Sequence, residues 1–313
     1  MVCFCPEVYC IYQVYRLVLK QCVDMIRRNK AEMITTEALA ISCGIGSAVA
    51  WGAGDFSGGM ASRKGNLLRV VLFSQFLGGL FLLGLALGFA EKMPPANYLM
   101  YGAFAGIFGN IGLIALYRGL ATGRMGIVAP LSAVLTAMVP IGYSAFYAGL
   151  PSLIRFSGFL VFMVAVWLLS SGDAGFRMTI RELLLSCAAG MGFGLFFIFI
   201  DQANDLAIFW PLVGARLASV SVLFGVILLM GRPSAPLTGQ WLFIAITGVL
   251  DALGNLLFSI ASHLGRLDVS AVLASLYPAA TVLLAWVVLK EKLSFQQWVG
   301  VGAAFVALVL ISV

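Results

Sequence analysis

Five polar side chains stand inside otherwise apolar sequence: Asp55, Asp201, Arg216, Asp251 and Gln75, with Asn110 and Asn255 beside them in similar surroundings. A carboxylate in hydrocarbon costs on the order of a few kcal/mol unless it is hydrated or paired. Asp55 and Asp201 are therefore candidates for binding a substrate or carrying a proton, unless head-group water solvates them at helix ends. Arg216 is placed to hold a substrate carboxylate or phosphate, or to pair with Asp201. Asp251 and Asn255 are four residues apart, so a helix presents both on one face. That polar stripe suits a cavity wall, or hydrogen bonding between helices. Trp51, Tyr117, Phe197 and Tyr277 are candidates for aromatic walls, and core packing is the plainer role for any one of them. Pro140 and Pro278 are gating candidates, because a proline inside a helix frees a carbonyl one turn earlier.

These residues must be positioned by segments whose composition leaves little choice of solvent. Of 313 residues, 62% are hydrophobic and 10% are Asp, Glu, Lys or Arg, against roughly 25% charged in a soluble domain. The mean hydropathy is +1.04. A soluble globule cannot hide that much apolar surface, whereas a bilayer welcomes it. Only helices and closed barrels satisfy their backbone groups in lipid, and these runs are long and continuous rather than short and alternating. The expected fold class is all-α: a polytopic membrane bundle with spans near 38–61, 67–90, 98–118, 126–149, 154–171, 181–201, 208–230, 241–262, 269–289 and 296–313.

The ten spans divide into two related fives. Ala133-Val-Leu-Thr-Ala-Met-Val-Pro140 returns as Ala271-Val-Leu-Ala-Ser-Leu-Tyr-Pro278, Gly109-Asn110 as Gly254-Asn255, and the run from Gly44 to Asp55 as Gly190 to Asp201. The offsets, 138, 145 and 146 residues, are nearly constant. An odd number of spans per copy turns the second copy over, so the repeats are inverted. The expected organisation is an atypical segment over residues 1–36, a first unit over 37–172 and a second over 180–313, joined by a polar, glycine-containing hinge around 170–177. The head segment reads as an interfacial helix or a start codon assigned too early.

On these motifs the chain resembles the EamA-like branch of the drug/metabolite transporter superfamily over about residues 38–313. The resemblance is carried by Ser275-Leu-Tyr-Pro-Ala-Ala-Thr-Val-Leu-Leu-Ala285, then Leu289-Lys-Glu-Lys-Leu-Ser294 and Gln297-x-x-Gly300. It is also carried by Trp51-Gly52 with Asp55-Phe56, and by Arg216 in the seventh span. It departs from the pattern where Gly149 stands opposite Glu291 and Gln75 opposite Arg216. The resemblance implies a secondary transporter that moves a small polar or amphipathic metabolite by alternating access, with export preferred. A proton gradient would drive it where transport is active.

The alternative is a membrane receptor or interaction protein on the same fold. The expected partners are a small-molecule substrate, membrane lipid and protons, with no nucleic acid, in a monomer or homodimer at the cell membrane. Orientation is ambiguous: the family keeps both ends in the cytoplasm, while the loop charges after the head favour the opposite. No phosphate-binding G-x-x-x-x-G-K-[ST] loop and no H-E-x-x-H occur, so neither ATP hydrolysis nor zinc peptidase chemistry is expected. No cofactor is expected, and Cys3-x-Cys5 without a partner pair is weak as a metal site. His263 reads as a loop-facing residue, and Glu291, between Lys290 and Lys292, as a helix-end ion pair.

Overall fold

A computed structural model describes residues 36–58, 60–61, 67–122, 125–147, 149–170, 179–229, 238–289 and 294–312. Ala40–Val313 form one packed unit, distinct from Met1–Leu39. The head segment, the hinge around 171–177 and the Lys290-Glu291-Lys292 turn lie outside the described residues.

Long apolar runs with few β-branched clusters fold as helices here, and no strand occurs among the described residues. The helices are α1 (Thr36–Gly58), α2 (Leu67–Gly88), α3 (Ala96–Thr122), α4 (Met125–Tyr147), α5 (Leu153–Ser170), α6 (Ile180–Ala203), α7 (Phe209–Leu229), α8 (Trp241–Leu264), α9 (Leu267–Ala274), α10 (Tyr277–Leu289) and α11 (Phe295–Ser312). Six of them, α1 to α3 and α6 to α8, are long and apolar enough to cross a membrane. At 1.5 Å per residue, their 21 or more residues reach about 30 Å. Their outward faces carry Leu80, Phe76, Leu217 and Phe224, all exposed, which is the pattern expected when lipid is the outer solvent.

Starts and stops follow local chemistry. Helix α6 opens with a capping box: the Thr179 hydroxyl accepts from Glu182 N, and Thr179 N donates to Glu182 Oε2 at 2.7 Å. Helices α9 and α10 follow one another across a break at Ser275-Leu276. Ser275 caps α9, and Pro278, which has no N–H to give to Ala274, falls in the first turn of α10 where none is needed. The expected interruption at Pro140 does not occur. Helix α4 runs unbroken from Met125 to Tyr147, because one missing hydrogen bond is tolerated when the flanking turns stay packed.

Glycine sets the crossings. A Cβ on Gly106 would collide with the Ala215 carbonyl, so α3 and α7 touch backbone to backbone there. Gly248 makes the same kind of contact with Ser74, bringing α8 onto α2. Two further contacts occur in related pairs. Gly44 of α1 faces Leu273 of α9, while Gly190 of α6 faces Leu135 of α4. Gly46 faces Leu257 of α8, while Gly192 faces Gly112 of α3.

Two sets of bonds distinguish the ends of the bundle. At one end, which we call the Gln240 end, Gln240 Nε2 donates to Ala61 O at 3.0 Å. At the other, the Glu91 end, Asn204 Nδ2 reaches Ser259 O at 3.2 Å, and Arg266 pairs with the fully buried Asp268 at 2.9 Å.

Because Gly106 sits in a backbone contact, Gly106→Leu is expected to prevent assembly, giving aggregated protein on size-exclusion chromatography in detergent. Gly84→Leu, where nothing lies within 4 Å of the added carbon, is expected to elute and melt like the parent.

Candidate functional site

A cavity of about 110 Å³ lies at mid-depth between α1, α2, α3, α6, α7 and α8. Among the residues that line it are Trp51, Asp55, Gln75, Asn110, Arg216, Asp251, Asn255 and Tyr277. With Phe197, nine of the residues singled out from sequence thus converge on one space from α1, α2, α3, α6, α7, α8 and α10.

Arg216 is 6% exposed and organises the polar wall. Its Nη1 donates to Asp251 Oδ2 at 2.6 Å and to Gln75 Oε1. Gln75 Nε2 donates to the same Asp251 oxygen at 3.3 Å. Ser219, one turn along α7, donates to Asn110 Oδ1 at 2.6 Å, and Asn110 Nδ2 donates to Ser219 O at 2.7 Å. Four helices are tied into one network. The second guanidinium nitrogen of Arg216, Nη2, is buried without a hydrogen-bond partner, and so is the hydroxyl of Tyr277.

The opposite wall is aromatic. Trp51 stacks on Phe197 with centroids 5.6 Å apart, and Phe197 stacks on Phe258 at 4.2 Å. Trp51 Nε1 donates to Asp251 O at 3.3 Å, and the ring fills the space that Gly254 leaves on α8. Asp55 stands one turn beyond Trp51. A second, smaller cavity shares Trp51, Asp55, Gln75, Leu113 and Asp251 and continues along Gly58, Val70 and Thr247 toward the Gln240 end. Asp55 is therefore at the junction of two cavities, half-buried and with no hydrogen-bond partner among the described residues.

Asp201 is elsewhere. It lies in the last turn of α6, at the Glu91 end, beside Ser262 and Asp205. The expected pairing of Asp201 with Arg216 is replaced by Asp251, which reaches the guanidinium from the facing helix α8, whereas Asp201 lies at the end of α6. Pro140 and Pro278 are not among the cavity residues, although Tyr277, adjacent to Pro278, is. His263 is exposed in the last turn of α8. The side chain of Tyr117 lies outside the described residues.

Three features escaped the sequence reading. Ser219 and Phe258 are ordinary residues in apolar helices whose roles appear only on packing. Glu91 had a signal: the segment Ala207-Ile208 before α7 holds no capping side chain. Glu91 supplies the cap from the α2–α3 loop. Its carboxylate accepts from Ile208 N at 2.8 Å and from Phe209 N and Trp210 N, both at 3.0 Å. Trp210 Nε1 in turn donates to Glu91 O at 2.8 Å. The anion also meets the positive end of the α7 dipole. Ala90, just before it, takes φ +50, a left-handed conformation that costs a non-glycine residue roughly 1 kcal/mol or more and turns the chain toward α7.

Buried polar groups facing a cavity inside a bundle with an apolar outer surface define a multi-pass integral membrane protein. Residues 180–313 match the EamA-like transporter family, consistent with the EamA family of the drug/metabolite transporter superfamily. A stretch of 131 residues, 41% of this chain, is 28% identical to an uncharacterized protein of Methanocaldococcus jannaschii and covers 93% of it. Nearly the whole of that relative thus corresponds to less than half of this chain. A solved crystal structure, titled only as that of a protein, is similar with a TM-score of 0.74 at 15% identity, covering 87% of this chain and 95% of that one. At that identity the likeness is one of fold.

Removing Arg216 leaves the half-buried Asp251 without its cation. Arg216→Ala is expected to cost about 3 kcal/mol, while Arg216→Met with Asp251→Leu recovers most of it, since neither charge then remains. Thermal unfolding of the purified variants in detergent checks the order. Glu91→Ala is expected to cost about 2 kcal/mol by the same measurement, because three backbone donors lose a charged acceptor.

Proposed function

We propose that this protein is a secondary transporter that moves a small polar or amphipathic metabolite across the cell membrane by alternating access between two inverted five-helix units. The observation that carries this reading is the cavity at mid-depth, walled by helices of both halves, with a free carboxylate and an incompletely bonded guanidinium facing it. Mid-membrane binding at a repeat interface is what inverted-repeat carriers use.

Residues at matched positions of the two units meet one another, as they do on a two-fold axis lying in the membrane. Trp51 and Phe197, 146 residues apart, stack, and Gln75 hydrogen-bonds Arg216, its counterpart. Gly44 with Leu273 and Gly190 with Leu135 are the same contact with the partners exchanged, at offsets of 146 and 138. Together with α9 and α10 counted as one broken span, this supports ten spans arranged as five and five, in units 37–172 and 180–313.

The matched acids support alternation. Asp55 opens on the passage toward the Gln240 end, while Asp201 sits at the Glu91 end, where Glu91 and Asn204 hold the helices together. In the other state the passage would lead past Asp201. Asp55 carries the coupling proton in this scheme, export is the direction of net flux, and lipid is the surrounding partner of a monomer or homodimer.

The test is uptake into proteoliposomes of a pooled labelled panel of amino acids, nucleosides, sugars, amines and organic acids, with and without an outward, acid-inside proton gradient, which drives uptake by exchange as the opposite gradient drives export. Saturable uptake above that of protein-free vesicles is expected, stimulated by the gradient in the parent and not in Asp55→Asn. Uptake that rises linearly with concentration would instead mean a channel, and no uptake from folded, inserted protein would mean a receptor-like role.

A further inference from the structure

The charges around the cavity do not balance, and the imbalance has a sign. Two carboxylates, Asp55 and Asp251, face it against one guanidinium, Arg216. Arg216 and Asp251 are already matched at 2.6 Å, and Gln75 completes their shared bonds. Among the described residues Asp55 has no cationic or hydrogen-bonding partner, and it shares the cavity lining with Asp251. His263, the single histidine of the chain, is at the Glu91 end and contributes nothing there. With Asp55 ionised the lining therefore carries one uncompensated negative charge.

The remaining unsatisfied groups say what else the occupant needs. Arg216 Nη2 is a buried donor without a partner, and the Tyr277 hydroxyl is likewise unpaired. The same lining holds the aromatic rings of Trp51, Phe193 and Phe197. An anion would add a second negative group beside Asp251 and leave Asp55 opposed. A zwitterion would satisfy Arg216 and still leave the net charge in place. A monocation places its positive group at Asp55, rests its body on the aromatic faces, which attract cations, and offers a neutral oxygen to Arg216 Nη2.

We propose that the cavity selects an organic monocation, a protonated amine on a small aromatic or apolar body that also carries a neutral hydrogen-bond acceptor, with Asp55 as the residue that reads the charge. This deepens the transport reading and rests on it only for the word substrate; the binding preference is measured independently of flux.

Four probes share one phenol ring and differ in charge: tyramine as the cation, tyrosine as the zwitterion, 4-hydroxyphenylacetate as the anion and tyrosol as the neutral alcohol. Equilibrium binding of each to the full-length protein in detergent at neutral pH is the measurement. Tyramine is expected to bind at least about tenfold tighter than the other three. Asp55→Asn should bring tyramine and tyrosol to within about threefold of each other, while Asp55→Glu keeps the preference. A ratio between two ligands on one variant is insensitive to partial loss of folded protein. Tightest binding of tyrosine or 4-hydroxyphenylacetate, equal binding of all four, binding of none, or a preference untouched by Asp55→Asn would overturn the proposal. Those outcomes leave transport standing wherever the labelled panel gives saturable uptake. Tyramine selectivity without any flux would leave the site and remove the transporter.

Discussion

A guanidinium surrounded by lipid-facing helices is the constraint from which the rest of the bundle follows. Arg216 cannot shed its charge, and at its depth in α7 no bulk water hydrates it. It must be met by Asp251 from α8 and Gln75 from α2, and these helices must then cross at one height. The glycines answer that requirement: Gly248 lets α8 lie against α2 at Ser74, one residue from Gln75, and Gly106 lets α3 lie against α7 at Ala215, one residue from Arg216. In lipid the apolar surfaces gain little by meeting one another, so a polar knot with close backbone contacts on either side holds these helices in register.

The two ends of the molecule are fastened differently, which gives the knot a direction. At the Glu91 end a carboxylate caps a helix across the chain, an asparagine ties α6 to α8, and Arg266 satisfies a fully buried aspartate. Toward the Gln240 end a smaller cavity beside Asp55 lies between α1, α2 and α8, lined by Gly54, Gly58, Val70, Ser74 and Thr247. Arg216, Asp251, Gln75, Ser219 and Asn110 tie four helices at one height, so the proposed alternation would keep this knot and exchange contacts at the two ends.

Much of this was legible because lipid makes polarity informative. Asp55, Gln75, Asn110, Arg216, Asp251 and Asn255 stand out against apolar neighbours, and all six line one cavity. The i,i+4 relation of Asp251 and Asn255 placed both on the same wall without knowledge of the fold. The helical class and the approximate positions of the long apolar helices followed from composition and backbone chemistry. Partner choice was not legible. Asp201 and Asp251 are equally plausible mates for Arg216 along the sequence, and only the packing of α8 against α2 and α7 distinguishes them. Pro140 and Pro278 are the same residue in the same repeated motif, yet one span breaks and the other does not. The difference lies in the turn at Ser275-Leu276, which has no counterpart in α4. Glu91 was hidden because its partner lies 117 residues away, and a cap missing at one helix does not say which loop supplies it.

If the chain is built of the two proposed units, their divergence accounts for the unlike residues that meet at the cavity. Were both copies to keep an arginine at the positions of Gln75 and Arg216, two guanidinium groups would meet on the axis and repel in a low-dielectric wall. Were both to keep glutamine, no charge would fix Asp251. One glutamine and one arginine make a bond across the axis instead. The same logic applies at Gly106 and Asp251: a second aspartate at residue 106 would have to fit where the Ala215 backbone lies, and glycine is what that contact allows. Only one carboxylate of this kind can then face Arg216. Asp55 remains as the cavity acid without a mate among the described residues, and that unmatched charge is the observation on which the proposed preference for a cation rests.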